Sequence, residues 1–124
     1  MAKIVKQMTP LGQVTVTSTA QTIATMLSLS TDDECLFEAV IVQADPANAN
    51  EIYLGGVDTS GVADVAQAKS IKLEAGGGIA FEADANGADE DRELYDLRQM
   101  SLRAGSNQLA NIAVVKIGSV KYNS

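Results

Sequence analysis

The chain has 124 residues, of which sixteen are acidic, nine are basic and none is histidine. Its length is typical of one domain, and a formal net charge of −7 at pH 7 disfavours nucleic acid and anionic lipid as partners. Because histidine is absent, Ser-His-Asp and Cys-His catalytic groups and histidine-metal sites are excluded. Cys35 is the single cysteine, so the chain cannot form an internal disulfide.

Ile4, Val5 and Met8 accompany Lys3 and Lys6 in the amino-terminal segment, which ends at Pro10. We expect residues 1–10 to form either an edge strand or an arm that adds to the sheet edge of another protein. No stretch here or later is apolar for long enough to cross a membrane. Residues 11–124 are expected to form one domain.

A strand is predicted at Gln13–Thr17, where Val14 and Val16 alternate with threonines and would face the core. The stretch Thr19–Ser30 combines helical spacing of apolar residues with many threonines and serines. A short helix or turn is expected there.

The most apolar run of the chain is Leu36–Ala44, which ends before a proline. Its length and continuity predict a central strand that is covered on both faces. A second strand, Glu51–Val57, follows a polar loop, so the two segments are predicted to pair as a hairpin.

The following segment, Asp58–Ser70, is small and polar and is expected to form a surface excursion. Val62 and Val65 lie within it and could pack on a partner. Two short strands, Ile71–Glu74 and Ile79–Ala83, then flank a glycine-rich turn, which predicts a second hairpin.

Acidic residues are concentrated in Asp84–Glu93, which contains the turn-forming pair Asn86-Gly87. A calcium site is one interpretation because clustered carboxylates suit a hard cation. The glycine is misplaced for an EF-hand and no acid occupies the closing position, so a solvated loop is favoured and no metal or cofactor is assigned.

Two further strands, Leu94–Ala104 and Leu109–Ile117, are separated by Gly105-Ser106-Asn107 and are predicted to form a third hairpin. The residues expected to point inward are Met100 and Leu102 from the first strand and, from the second, either Val115 and Ile117 or Ile112 and Val114.

These segments together predict an all-β protein, an antiparallel sandwich or jelly-roll-like barrel of about seven to nine short strands. Cys35 begins an apolar strand beside acidic residues, which disfavour a thiolate. We therefore expect a buried structural cysteine and no catalytic residue.

Four short motifs lie in a recognisable order: Ile41-Val42-Gln43-Ala44, then Ile52-Tyr53-Leu54-Gly55-Gly56, then Leu73-Glu74-Ala75-Gly76, then Asp96-Leu97. In this order the region Phe37–Ala104 resembles small β-sandwich minor virion proteins of tailed bacteriophages.

That resemblance implies a head decoration or cement protein, made in the host cytoplasm, on the exterior of the capsid. The major capsid protein would be its partner, together with further copies of the chain in a homodimer or homotrimer. The alternatives are a neck, tail or fibre-base component and a calcium- or sugar-binding sandwich module. The residues predicted to form the protein interface are Ile4, Val5, Met8, Val62 and Val65.

Overall fold

The computed structural model describes residues 2–66, 70–82 and 94–121. Within them the chain forms eleven strands, two four-residue α-helices and a 3-10 turn at Leu97–Gln99. In chain order the elements are β1 (Ala2–Val16), β2 (Gln21–Thr22), α1 (Ile23–Met26), α2 (Asp32–Cys35), β3 (Leu36–Phe37), β4 (Ala39–Ala44), β5 (Ile52–Val57), β6 (Ala63–Asp64), β7 (Ile71–Leu73), β8 (Gly78–Glu82), β9 (Tyr95–Asp96), β10 (Ser101–Ala104) and β11 (Gln108–Lys121).

The strands form two main antiparallel sheets. Sheet 1 has the order β1-β11-β4-β8, and sheet 2 has the order β2-β10-β5-β6, with β7 also paired to β5. A small third pair joins β3 to β9. The prediction of an all-β antiparallel sandwich is confirmed, and within the described residues the strands exceed the seven to nine expected because four of them have two residues each.

The core lies between the two sheets and is built from small aliphatic side chains. Val14 and Val16 are buried as predicted, and so is Leu102, while Met100 is partly buried against the core. The inward pair of β11 is Ile112 and Val114, which settles the alternative left open by the sequence. The other large contributors are Val40 and Val42 from sheet 1 and Ile52 and Leu54 from sheet 2.

All three predicted hairpins are wrong. β4 pairs with β11 and β8, whereas β5 pairs with β10, β6 and β7. Likewise β7 belongs to sheet 2 and β8 to sheet 1, and β10 belongs to sheet 2 and β11 to sheet 1. Each turn therefore carries the chain from one sheet to the other, as in Greek-key sandwiches, instead of reversing it within a sheet.

The predicted helix in Thr19–Ser30 is present as α1, where Thr22 Oγ1 accepts a hydrogen bond from Thr25 N at 3.1 Å. A second helix that the sequence pattern does not predict, α2, begins with a capping box between Thr31 and Glu34. Cys35 ends α2 and is a buried free thiol, as predicted. No helix in the described part of the chain has the length and apolarity needed to span a membrane.

The excursion Asp58–Ser70 is only partly a surface loop. Its first turn is organised by Asp58 Oδ1, which accepts hydrogen bonds from Ser60 N at 2.8 Å and Val62 N at 3.0 Å. The chain then forms β6 against β5, so the segment is tied to sheet 2. The acidic stretch Asp84–Glu93, and with it the calcium hypothesis, lies outside the described residues.

Candidate docking face on sheet 1

The face of sheet 1 turned away from sheet 2 carries an apolar row that crosses all four strands. Pro10 on β1 pairs with Ala113 on β11, which pairs with Ile41 on β4, which pairs with Ala80 on β8. These positions alternate with buried neighbours such as Val42 and Ile112, as side chains on a pleated sheet must. The row therefore occupies the outward face.

A second row lies two residues along the strands. Met8 on β1 faces Val115 on β11, and Val115 faces Ala39 on β4. Glu82 on β8 ends this row with a charge. Met8 is 67% exposed, so the second row adds a large flexible apolar side chain at the β1 side. The docking face is defined here as Met8, Pro10, Ile41, Ala80, Ala113 and Val115. Ala39 is buried and is not part of it.

Polar side chains border the docking face on the other side of the first row. Gln13 Nε2 donates to Asn111 Oδ1 at 2.9 Å, and Asn111 Nδ2 donates to Gln43 Oε1 at 3.2 Å. Asp45 Oδ1 accepts from both amides, at 3.3 Å from Gln13 and 3.1 Å from Asn111. This amide ladder, Gln13, Gln43, Asp45 and Asn111, fixes the boundary at which apolar surface gives way to polar surface.

Within the described residues, the docking face has no covering element from its own chain. Pro10 and Ala80 are exposed, and Ile41 and Ala113 are half-buried by their strand neighbours. An open depression of about 580 Å³ is lined by residues of the first row and of the amide ladder. The prediction that Leu36–Ala44 is covered on both faces therefore holds at Ala39, which is buried, but not at Ile41, which is half-buried on the outward face.

Strand β1 is also an edge strand. In the described part of the chain it pairs with β11 alone, over a register that runs from Ala2 opposite Lys121 to Val16 opposite Gln108, with one irregularity between Pro10 and Gly12. Since β4 pairs with β11 only as far as Val115, the first residues of β1 extend past the rest of sheet 1 as a two-stranded ribbon.

The predicted interface residues do not form one surface. Ile4, Val5 and Met8 lie on β1, opposite Ser119, Gly118 and Val115 of β11. Val62 is 60% exposed beside β6 at the edge of sheet 2. Val65 is buried against Gly55, so its side chain contributes to the interior of the domain.

Sequence reasoning did not assign Pro10, Ile41, Ala80, Ala113 or Val115 to an interface. The signal was present, because both alternating sets of residues in β11 are apolar. Within the described chain, β11 is covered on the face toward sheet 2, and Ala113 and Val115 on its other face are half-buried.

The described residues also form a cavity in another part of the domain. It has a volume of about 450 Å³, lies beside β5, β7 and β8 and is lined by Leu54, Ile71, Phe81, Leu94 and Tyr95 among others. Its lining is mainly apolar, which does not match a sugar or calcium site. Among the residues the structure describes, no three acidic or cysteine side chains are grouped as metal ligands.

The cysteine does not form a reactive site. Burial raises the pKa of the Cys35 thiol, nearby Arg98 acts in the opposite direction, and carboxylates including Asp96 raise it further. A thiol in this setting is protonated at neutral pH and closed to substrates.

No protein-family model matches the chain, and no curated protein matches it. A solved structure described by the words "Bacillus endospore appendages form a novel family of disulfide-linked pili" aligns over 94% of this chain and 91% of its own, at 10% identity and a TM-score of 0.47. A likeness at this level extends neither the function nor the disulfides of that protein to this chain. None of these comparisons points to a phage virion protein in particular.

Proposed function

We propose that the chain is a non-catalytic structural protein that docks on other protein subunits through the docking face of sheet 1. One observation carries the proposal: an unbroken apolar row, Pro10, Ala113, Ile41 and Ala80, crosses an outward sheet face. The exposed face of an antiparallel sandwich is ordinarily polar, so a contiguous apolar row on this face is a candidate contact site.

The size of the docking face indicates how a partner would bind. With strands about 4.8 Å apart and rows about 6.8 Å apart, the face covers roughly 250 Å². Stable protein interfaces bury about 800 Å² on each partner. The docking face would thus form the centre of a larger interface.

The partner that we propose is the shell of a virus particle, as the resemblance of Phe37–Ala104 to phage minor virion proteins implies. The chain would then be a head decoration protein on the capsid exterior, bound to the major capsid protein. A domain of net charge −7 would also be repelled by nucleic acid during assembly.

The test is binding to capsids that were assembled without this protein. Wild type is expected to bind until saturation, at a fixed ratio to capsid subunits. Ala113→Lys should lose binding, because it places an ammonium group in the middle of the apolar row. Thr15→Lys is the matched control, since Thr15 is exposed on β1 and lies beyond the amide ladder.

If wild type does not bind capsids, the capsid role is wrong. Labelling of intact particles at the tail instead of the head would replace it with the neck or tail role. Equal binding by both lysine variants would show that the docking face is not the contact surface.

A further inference from the structure

We propose that β1 of one molecule adds to β8 of a second molecule, so that sheet 1 continues from copy to copy. This inference rests on the proposed structural function and names a second copy of the chain as one of its partners. It is carried by the two edges of sheet 1, by their charges and by the continuity of the apolar rows.

Both outer strands of sheet 1 have an open edge in the part of the chain that the structure describes. β1 pairs there with β11 alone, and β8 pairs with β4 alone. Each edge presents backbone N–H and C=O groups, and an open edge is a template for another strand. The exception on β8 is the Glu82 carbonyl oxygen, which accepts a hydrogen bond from Tyr95 Oη at 3.2 Å. The two edges lie on opposite sides of the same sheet, so one molecule can offer β1 while it accepts through β8.

Neither edge has a complete set of the features that prevent strand addition. From Ala2 to Thr9, β1 keeps a regular register and contains neither proline nor glycine, and its protective residues are Lys3 and Lys6. β8 runs from Gly78 to Glu82 without proline or lysine. Proteins commonly protect edges with prolines, lysines and bulges, and here Pro10 and the irregularity that follows it come only after eight regular positions.

The charges favour pairing between unlike edges. Residues 2–7 of β1 and 116–121 of β11 include four lysines and no acidic residue. β8 ends at Glu82, whose side chain is exposed. Pairing β1 with β1 would oppose lysines, and pairing β8 with β8 would oppose carboxylates, whereas β1 with β8 joins opposite charges.

The apolar rows would also continue across such a junction. Ala80 ends the first row at the β8 edge, and Pro10 begins it at the β1 edge. Strand addition would bring Ala80 of one copy near the β1 side of the next copy, where Met8 is exposed. The docking face would then become wider with every added molecule.

Pairing of unlike edges is heterologous, so each molecule keeps one free donor edge and one free acceptor edge. Such contacts close into rings or propagate as open chains, depending on the rotation between copies. A two-fold dimer, by contrast, would use the same edge twice. The two arrangements therefore predict different pairs of residues in contact.

Disulfide trapping distinguishes them. Each variant carries Cys35→Ala and one new cysteine. The cysteine on β8 is Ala80→Cys, and the cysteine on β1 is Ile4→Cys, Lys6→Cys or Met8→Cys. Three β1 positions are tested because the β1 residue that lies opposite Ala80 of the other copy is not fixed in advance. Lys72→Cys on β7, an exposed position of sheet 2, is the control. Variants are mixed in pairs, one carrying a mass tag, and oxidised mildly.

The expected product is a disulfide-linked heterodimer between Ala80→Cys and at least one β1 variant, at about twice the chain mass of 13.0 kDa. Its yield should be several-fold higher than the yield of either homodimer and of pairs that contain the Lys72→Cys control. An excess of β1–β1 homodimers, or no enrichment over the control, overturns the inference. Capsid binding is scored separately. If the protein binds capsids but forms no β1–β8 disulfides, the proposed function is supported and the self-association is not. If the disulfides form but capsids are not bound, the self-association is supported and the capsid role is not.

Discussion

Ile41 and Ala113 lie opposite each other on β4 and β11, on the face of sheet 1 that no described element of the chain covers. Their immediate neighbours on the other face, Val42 and Val114, are buried against sheet 2. The two central strands of sheet 1 are thus apolar on both sides. This pattern is expected when a second protein completes the packing.

Replacing Ala113 by lysine tests the docking face in isolation. Ala113→Lys should reduce binding to a protein partner at least tenfold, which is about 1.4 kcal/mol, because the ammonium group would be desolvated without a counter-charge. Because Ala113 is only half-buried, the lysine can reach water in the free protein, and its unfolding free energy should change little. Titration of partner binding together with urea unfolding measures both; loss of the fold along with binding would contradict this separation.

Much of the fold could be predicted from the alternation of side chains. Val14 and Val16 point inward as their spacing requires, and the all-β class follows from short strands and turn residues. In β11, however, the choice between Ile112 with Val114 and Val115 with Ile117 stayed open because both sets are apolar. A period-two pattern identifies the buried face only when the other face is polar.

Strand pairing was harder to predict than strand position. The turn at Gly105-Ser106-Asn107 shows that the chain reverses, but a reversal within one sheet and a crossing between two sheets use the same turn residues. The docking face was missed for a related reason. Pro10, Ile41, Ala80 and Ala113 come from four distant segments, and only the register of sheet 1 brings them into one row.

Gly55 is predicted to be indispensable for the packing of sheet 2. A Cβ atom at this position would lie 2.7 Å from Asp64 O and 3.0 Å from Val65 Cγ2, so Gly55→Ala forces β6 away from β5. Overpacking of this kind costs about 1–3 kcal/mol. Gly105→Ala is the matched control, since nothing lies within 4 Å of its added carbon, and it should change the unfolding free energy by less than about 0.5 kcal/mol. Urea unfolding measures both, and equal effects would refute the steric explanation.

The buried thiol should make stability depend on alkaline pH. Because burial raises the pKa of Cys35 above its ordinary value of 9.0, the unfolded chain loses this proton at a lower pH than the folded chain. The contribution to stability is therefore complete below the unfolded pKa and is lost as the pH rises toward the folded pKa. Cys35→Ala should lack this decline between about pH 8 and 10. Chemical unfolding of both proteins across that range measures the difference, and parallel curves would show that the thiol is not linked to folding.

The edge charges give a reciprocal prediction for self-association. A Lys3→Glu, Lys6→Glu variant carries acidic residues on both β1 and β8, and a Glu82→Lys variant carries a lysine on both. Each alone should self-associate several-fold more weakly than wild type, because like charges would meet at every junction. An equimolar mixture of the two should regain association, since each β1 then meets an oppositely charged β8. Sedimentation velocity at low and high salt measures this, with Lys72→Glu on sheet 2 as the control.

Salt should weaken wild-type association because exposed charges are screened. If the mixture associates no better than its components, opposite edge charges do not select the junction between β1 and β8.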